Sequence, residues 1–373
     1  MARNIAKHLA AKLLAEAGVA INGNKPWDFM VKNDNVFDRV LARGSLGLGE
    51  AYMDGWWDAE KLDEFFYKVI SAGLENKIGK NLKTVFRIAA AGIFNLQSRK
   101  RAFRVGKEHY DLGNDIYQNM LGRRLVYTCG YWKNAKNLDE AQDAKLDLVC
   151  KKLKLRPGMK ILDIGCGWGS FAKFAAENYG VSVVGITVSK EQAELGRKLC
   201  GGLPVEIRLQ DYRDLNGQFD RIVSLGMFEH VGRKNFGDYF KIANECLEDG
   251  GLLLLHTIGG NISTASVDPW MGKYIFPNGM IPSAKQIGRA IEGLFIMEDW
   301  HNFGSDYDKT LMAWFENFYS NWGKLKDKYG ERFFRMWKYY LLSCAGAFRA
   351  RDLQLWQIVL SKKGLPGGYE SIR

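Results

Sequence analysis

Residues 161–170 read ILDIGCGWGS: an apolar run carrying a carboxylate at Asp163, then glycines at Gly165, Gly167 and Gly169. A strand that ends in alternating glycines can turn sharply into a helix and lets a ligand approach bare backbone. A dinucleotide fingerprint would need glycine at position 170, where Ser170 stands. The tighter turn suits a ligand without a pyrophosphate, and S-adenosylmethionine is such a ligand. Its carboxylate would take backbone amides of the turn, Cys166 and Trp168 included, and Asp163 would balance its cationic groups. A glycine turn with no ligand is the bland alternative, and the run of strands around this one argues against it.

Other groups follow later strands. Glu229 comes after FDRIVSL and His256 lies within GLLLLHTI, so a parallel sheet would bring a carboxylate and an imidazole to its carboxyl edge. Such a pair can remove a proton directly or hold a small oxyanion that does so. The residues leave both open. The plainer readings are a helix start at Glu229–His230 and a satisfied core histidine at His256. Thr187 stands where a ribose-gripping acid usually ends the second strand. Gln192 could supply that grip, or could form a capping box with Ser189. Asp211 and Tyr212 follow the third strand, placed to bracket an adenine by hydrogen bond and stacking.

These groups need a scaffold. From Lys160 onward short apolar runs alternate with helical ones, which predicts a Rossmann-like α/β methyltransferase fold, a mostly parallel sheet with helices on both faces. The strands read MKILDI, VSVVGI, PVEIRL, FDRIVSL and GLLLLHTI, with LFIMEDW and LWQIVLS completing the sheet. Before residue 95 the spacing of Ile5, Leu9, Leu13 and Ala17, and of Phe65, Phe66, Val69 and Ile70, predicts helices. GSLGLGEAYMDGWWD, residues 44–58, reads as turns packed by aromatics. The expected organisation is a helical N-terminal domain at 1–95, a basic linker at 96–106 and a catalytic domain at 107–373.

Among 373 residues, 53 lysines and arginines against 42 acids leave a net charge of +11. That field favours a polyanionic partner, nucleic acid or an anionic bilayer. Six cysteines without a CxxC pair or zinc spacing predict reduced thiols, neither a disulfide framework nor a metal site. No apolar run reaches membrane-spanning length, and Arg3, Lys7 and Lys12 interrupt the stretch a signal peptide would need. The expected place is the cytosol, with any membrane met from its surface. No RNA-binding module is recognisable, and the aromatics sit in apolar contexts, which argues against a nucleic-acid partner.

Taken in order, GSLGLGEAYMDGWWD, VGKEHYDLGND, YTCGYW, LDIGCGWGS, MFEHVG, LLHTIG, YIFPNGMIPS and CAGAFRARDLQLWQ resemble bacterial cyclopropane-fatty-acyl-phospholipid synthases nearly end to end. Mycobacterial mycolic-acid modifying enzymes are similar over the catalytic part. The resemblance implies transfer of the S-adenosylmethionine methyl to a cis double bond of a phospholipid acyl chain, then loss of a proton and ring closure. It implies a bicarbonate ion as base, held by Cys129, Glu229, His256, Ile258 and Tyr307. Cys344 matches a cysteine the family has been assigned as catalytic, and Tyr127 and Thr128 match a pair that touches the cofactor. It further implies a homodimer associated peripherally with the inner face of the cell membrane, docking or dimerising through its N-terminal domain.

The chemistry is consistent with these residues. An alkene attacks a sulfonium methyl without a general base, but it leaves a carbocation that water would trap. The pocket must therefore be dry and walled by aromatic faces. Tyr131, Trp132, Tyr274, Phe276, Trp314, Phe315, Phe318 and Tyr319 are candidates, although any one of them is more often ordinary core. Nothing in the reaction needs a thiolate, so Cys344 reads as a pocket wall.

Overall fold

The computed structural model describes residues 2–74 and 113–373. The expected linker at 96–106, the domain boundary at 95 and the first part of VGKEHYDLGND lie outside the described residues. The N-terminal part holds α1 (Ala2–Glu16), α2 (Asn35–Met53) and α3 (Leu62–Ser71), with a short antiparallel pair, β1 (Met30–Val31) and β2 (Trp57–Asp58). The buried face of α1 runs through Ala6, Ala10 and Leu14, whereas Leu9 is 46% exposed. Spacing alone did not identify the packed side.

The glycine-rich segment at 44–58 also departs from expectation. Residues 44–53 are the second half of α2, kinked at Gly44 (φ 56°), and only Asp54 and Gly55 turn before β2. Two of its glycines serve close approach instead of a turn. A Cβ on Gly49 would lie 2.3 Å from the Trp270 ring, and one on Gly47 2.3 Å from the Arg39 carbonyl oxygen. Gly49→Ala is accordingly expected to destabilise the fold by about 1–3 kcal/mol through overpacking, read as a lower urea midpoint at unchanged slope.

Past the segment outside the description come α4 (Asn114–Met120) and α5 (Leu138–Lys152), then the sheet. Its strands are β3 (Lys160–Ile164), β4 (Ser182–Thr187), β5 (Val205–Leu209), β6 (Phe219–Leu225), β7 (Leu247–Gly260), β8 (Ile296–Asn302) and β9 (Leu353–Ser361). Their order is β5-β4-β3-β6-β7-β9-β8, with the first five parallel and β9 antiparallel to both of its neighbours. All seven expected strands form. They read as unbroken apolar runs because both faces are covered: Leu252 through Leu255 are fully buried, alternating between two cores.

Between the strands run α6 (Ser170–Tyr179), α7 (Lys190–Leu199), α8 (Phe236–Cys246), α9 (Pro269–Tyr274), α10 (Ala284–Ile291), α11 (Ser305–Asn321) and α12 (Lys326–Arg349). The last two carry the aromatic-rich stretch. Trp314, Phe318, Trp337 and Tyr339 join Phe29, Tyr52, Trp57 and Phe65 in one hydrophobic cluster, so the N-terminal helices and the last two helices share a core. Arg349 ties the two parts together, bonding Asp308 on α11 and both Asp63 and Glu64 on α3. Among the described residues no helix is long and apolar enough to cross a membrane.

Candidate active site

A cleft opens along the carboxyl ends of β3, β4, β5 and β6, where the strand order reverses between β3 and β6. That is where an open α/β sheet binds its ligand. Asp163, Gly165, Cys166, Gly167, Trp168, Thr187, Gln192, Asp211 and Tyr212 all line it, joined from across the cleft by Tyr127 and Thr128. Gly165 needs its glycine twice over: φ is +84°, and a Cβ would press on Met227 at 2.6 Å. Gly169 does not face the cleft. It starts α6 in the left-handed region, and a Cβ there would meet the Cys200 sulfur.

Two buried ionisable groups, Asp163 and Lys145, line the cleft. Asp163 is 2% exposed, and its Oδ2 has no hydrogen-bond partner among the described residues. Burial pushes its carboxyl up, and the nearby Lys145 holds it down. Lys145 is wholly buried on α5, donates to Thr128 Oγ1 at 2.9 Å, and is pushed down by the same desolvation. Nearer the mouth, Ser189 caps α7 by accepting from the Gln192 amide, but the Gln192 side chain does not return the bond. Its Oε1 accepts from Thr187 Oγ1 at 2.8 Å instead. Only half of the expected capping box forms. The Asp211 carboxylate is gripped by Arg213 through Nε and a terminal nitrogen, and the Arg213 guanidinium lies 5.3 Å from the Tyr212 ring centroid.

The second cluster adjoins the first. Tyr307 lies within electrostatic reach of Cys129, Glu229, Tyr127 and Cys344, and burial first of all holds its hydroxyl well above its ordinary range. Glu229 sits on the short turn after β6, with Oε1 accepting the Ile258 amide at 2.7 Å and Oε2 unpartnered among the described residues. Burial raises its carboxyl to about 7, against the lowering effect of the Ile258 amide. His256, on β7 beside the end of β6, is buried and held neutral, first by desolvation and then by Lys145 and Lys152. Its Nε2 has no partner among the described residues. Buried polar atoms of this kind call for an explanation, and a bound group supplies one.

Neither thiol is a thiolate. Burial pushes Cys344 up to about 12 and Cys129 well above its usual value. Of the candidate aromatics, Trp314 stands 5.3 Å from Tyr127 and 5.9 Å from Tyr307, and Phe276 stands 5.9 Å from His230 and 5.7 Å from Tyr340. Phe318 is core, and Tyr319 is 62% exposed, outside any enclosed wall. Sequence reasoning missed Lys145, His230 and Arg213 as cleft residues. The signal for Lys145 was available: with Gln142, Leu146 and Val149 it falls on one helical stripe, and all four are buried.

This strand order, with β9 antiparallel between β7 and β8, is the fold of the S-adenosylmethionine-dependent methyltransferases. Within that class the chain belongs to the mycolic acid cyclopropane synthetase family, whose model matches residues 97–358. It is 58% identical to the cyclopropane-fatty-acyl-phospholipid synthase of Escherichia coli K12 over 365 residues, 98% of this chain and 95% of that relative. Among solved structures it is similar to the cyclopropane synthase MmaA2 of Mycobacterium tuberculosis (TM-score 0.66, 32% identity, 70% of this chain and 98% of that one). The mycolic acid cyclopropane synthase CmaA1 complexed with SAH and CTAB gives a TM-score of 0.65 at 32% identity, covering the same shares.

Proposed function

We propose that the protein is a cyclopropane-fatty-acyl-phospholipid synthase, which moves a methyl from S-adenosylmethionine to a cis double bond of a phospholipid acyl chain and closes the ring with a base held by Glu229 and His256. The observation that carries this reading is the pairing of a cofactor cleft with a buried cluster in which Glu229 Oε2 and His256 Nε2 both lack a hydrogen-bond partner among the described residues. The alkene needs no base to attack the methyl, but loss of the methyl proton that closes the ring does, and this second group is placed to serve it.

The residues fit both bound groups. Asp163 Oδ2 is an orphaned acceptor at the glycine turn, suited to the cationic methionyl end of S-adenosylmethionine. A small oxyanion with one acidic hydrogen, bicarbonate, suits the second cluster: Glu229 Oε2 can accept, while His256 and the Tyr307 hydroxyl can donate. Ile258 serves by fixing Glu229, its amide already given to Oε1. When bound, the two groups supply an electrophilic methyl and a base. The π electrons of the alkene form the new carbon–carbon bond as the carbon–sulfur pair departs with the sulfur. The cation that results loses a proton from the transferred methyl, and that C–H pair closes the ring. Tyr127, Trp314 and Phe276 offer π faces to the cation, and burial keeps water from trapping it. Glu229, placed at about 7, can share the abstracted proton at neutral pH.

The net charge of +11 supports work at an anionic bilayer surface from the cytoplasmic side, and the family resemblance supports a homodimer. Incubation with labelled S-adenosylmethionine and vesicles of monounsaturated phospholipid tests the reading. Fatty acids heavier by one CH₂ and lacking the double bond are the expected product, whereas label in RNA or in a soluble amine would sink it. Cys344→Ser should lose less than about tenfold in turnover, far below the 10²–10⁴ typical of an acid–base group, because its thiol is neutral already.

A further inference from the structure

The antiparallel end of the sheet sets three side chains in one row: His256 on β7 pairs with Gln357 on β9, which pairs with His301 on β8. Gln357 is fully buried, and its Nε2 lies 3.3 Å from Nδ1 of His256. With the amide in this orientation its N–H donates and Nδ1 accepts, while Gln357 Oε1 is buried with no hydrogen-bond partner among the described residues. Beyond it, Lys152 Nζ lies 3.0 Å from His301 Nδ1 and 3.7 Å from Asp299, and Asp299 also binds Arg373.

We propose that Gln357 is a positioning residue that fixes the tautomer of His256, holding its single proton on Nε2 so that the imidazole donates to the oxyanion of the site. This rests on the function proposed above. Burial and the two buried lysines keep the ring neutral, so it has one N–H to place. With that proton on Nδ1, Nε2 would present a lone pair to a negatively charged oxygen and repel it. A glutamine at 357 is the neutral choice that donates. A glutamate would accept, pulling the proton to Nδ1.

The chain has five histidines, so long-range ¹⁵N–¹H spectra of histidine-labelled protein can report each tautomer, with His256→Asn assigning the signal. The expected result is an Nε2–H tautomer for His256 in the parent and an Nδ1–H or doubly protonated ring in Gln357→Glu. The kcat of Gln357→Glu should fall about 10–100-fold while S-adenosylhomocysteine binds as before. Gln357→Met, of similar size, should give a mixture of tautomers. An Nδ1–H ring in the parent, which needs no variant to observe, would overturn the proposal, as would a Gln357→Glu spectrum identical to the parent's. If the tautomer switches as expected and kcat does not move, the positioning role stands and the use of His256 in the proposed reaction fails.

Discussion

Glu229→Gln is expected to cut turnover by about 10²–10⁴ while leaving the affinity for S-adenosylhomocysteine unchanged, and to make the protein more stable at pH 8. The second effect runs against the usual cost of changing a buried residue. Burial raises the folded carboxyl from 4.5 to about 7, so between those values the folded chain binds more protons than the unfolded one. Stability therefore falls as pH rises through that window, and above it the ionised group costs up to about 3 kcal/mol. Glutamine keeps an oxygen for the Ile258 amide and removes the charge. Thermal melts of both proteins at pH 5 and pH 8 check this: the gain should be large at pH 8 and nearly absent at pH 5. A variant less stable at both values, or one that retains turnover, would remove Glu229 from the site.

The other large effect is predicted at the glycine turn. Asp163→Asn should weaken S-adenosylmethionine binding by about 10–150-fold, the range for a hydrogen bond to a charged group, and S-adenosylhomocysteine by less because it lacks the sulfonium. In the parent, affinity for the sulfonium should drop as pH falls below about 7, since Asp163 then takes a proton and Lys145 gains one. Both changes add positive charge beside a cationic ligand, so the signs agree. In the variant this dependence should flatten. Titration calorimetry with the two ligands across pH separates charge from shape, because a loss equal for both would indicate a collapsed cleft.

The sheet was legible in the sequence because its strands are covered on both faces, which leaves continuous apolar runs such as Leu252–Leu255 bounded by glycine and polar residues. The glycine turn was legible too, since Gly165 and Gly167 adopt conformations that side chains resist. Elsewhere the same residue type misled. Gly47 and Gly49 looked like turn residues, but they lie in a helix that passes against Arg39 and Trp270, and only the tertiary partner reveals that. Tyr319 sits on the same helix as Trp314, and no local signal says which one faces outward. The row of His256, Gln357 and His301 joins residues up to 101 positions apart, through a register that an antiparallel insertion sets. Composition and spacing carry no trace of it.

The joint aromatic core bears on how the chain is made. Residues up to 71 emerge from the ribosome first, yet Tyr52, Trp57 and Phe66 find Tyr339 only after nearly the whole polypeptide has been synthesised. Until then their oily surfaces stay uncovered, which calls for a holding chaperone or slow local collapse. Nascent-chain pulling-force profiles should show the major compaction step after residue 349 clears the exit tunnel, with no comparable early event for the first three helices.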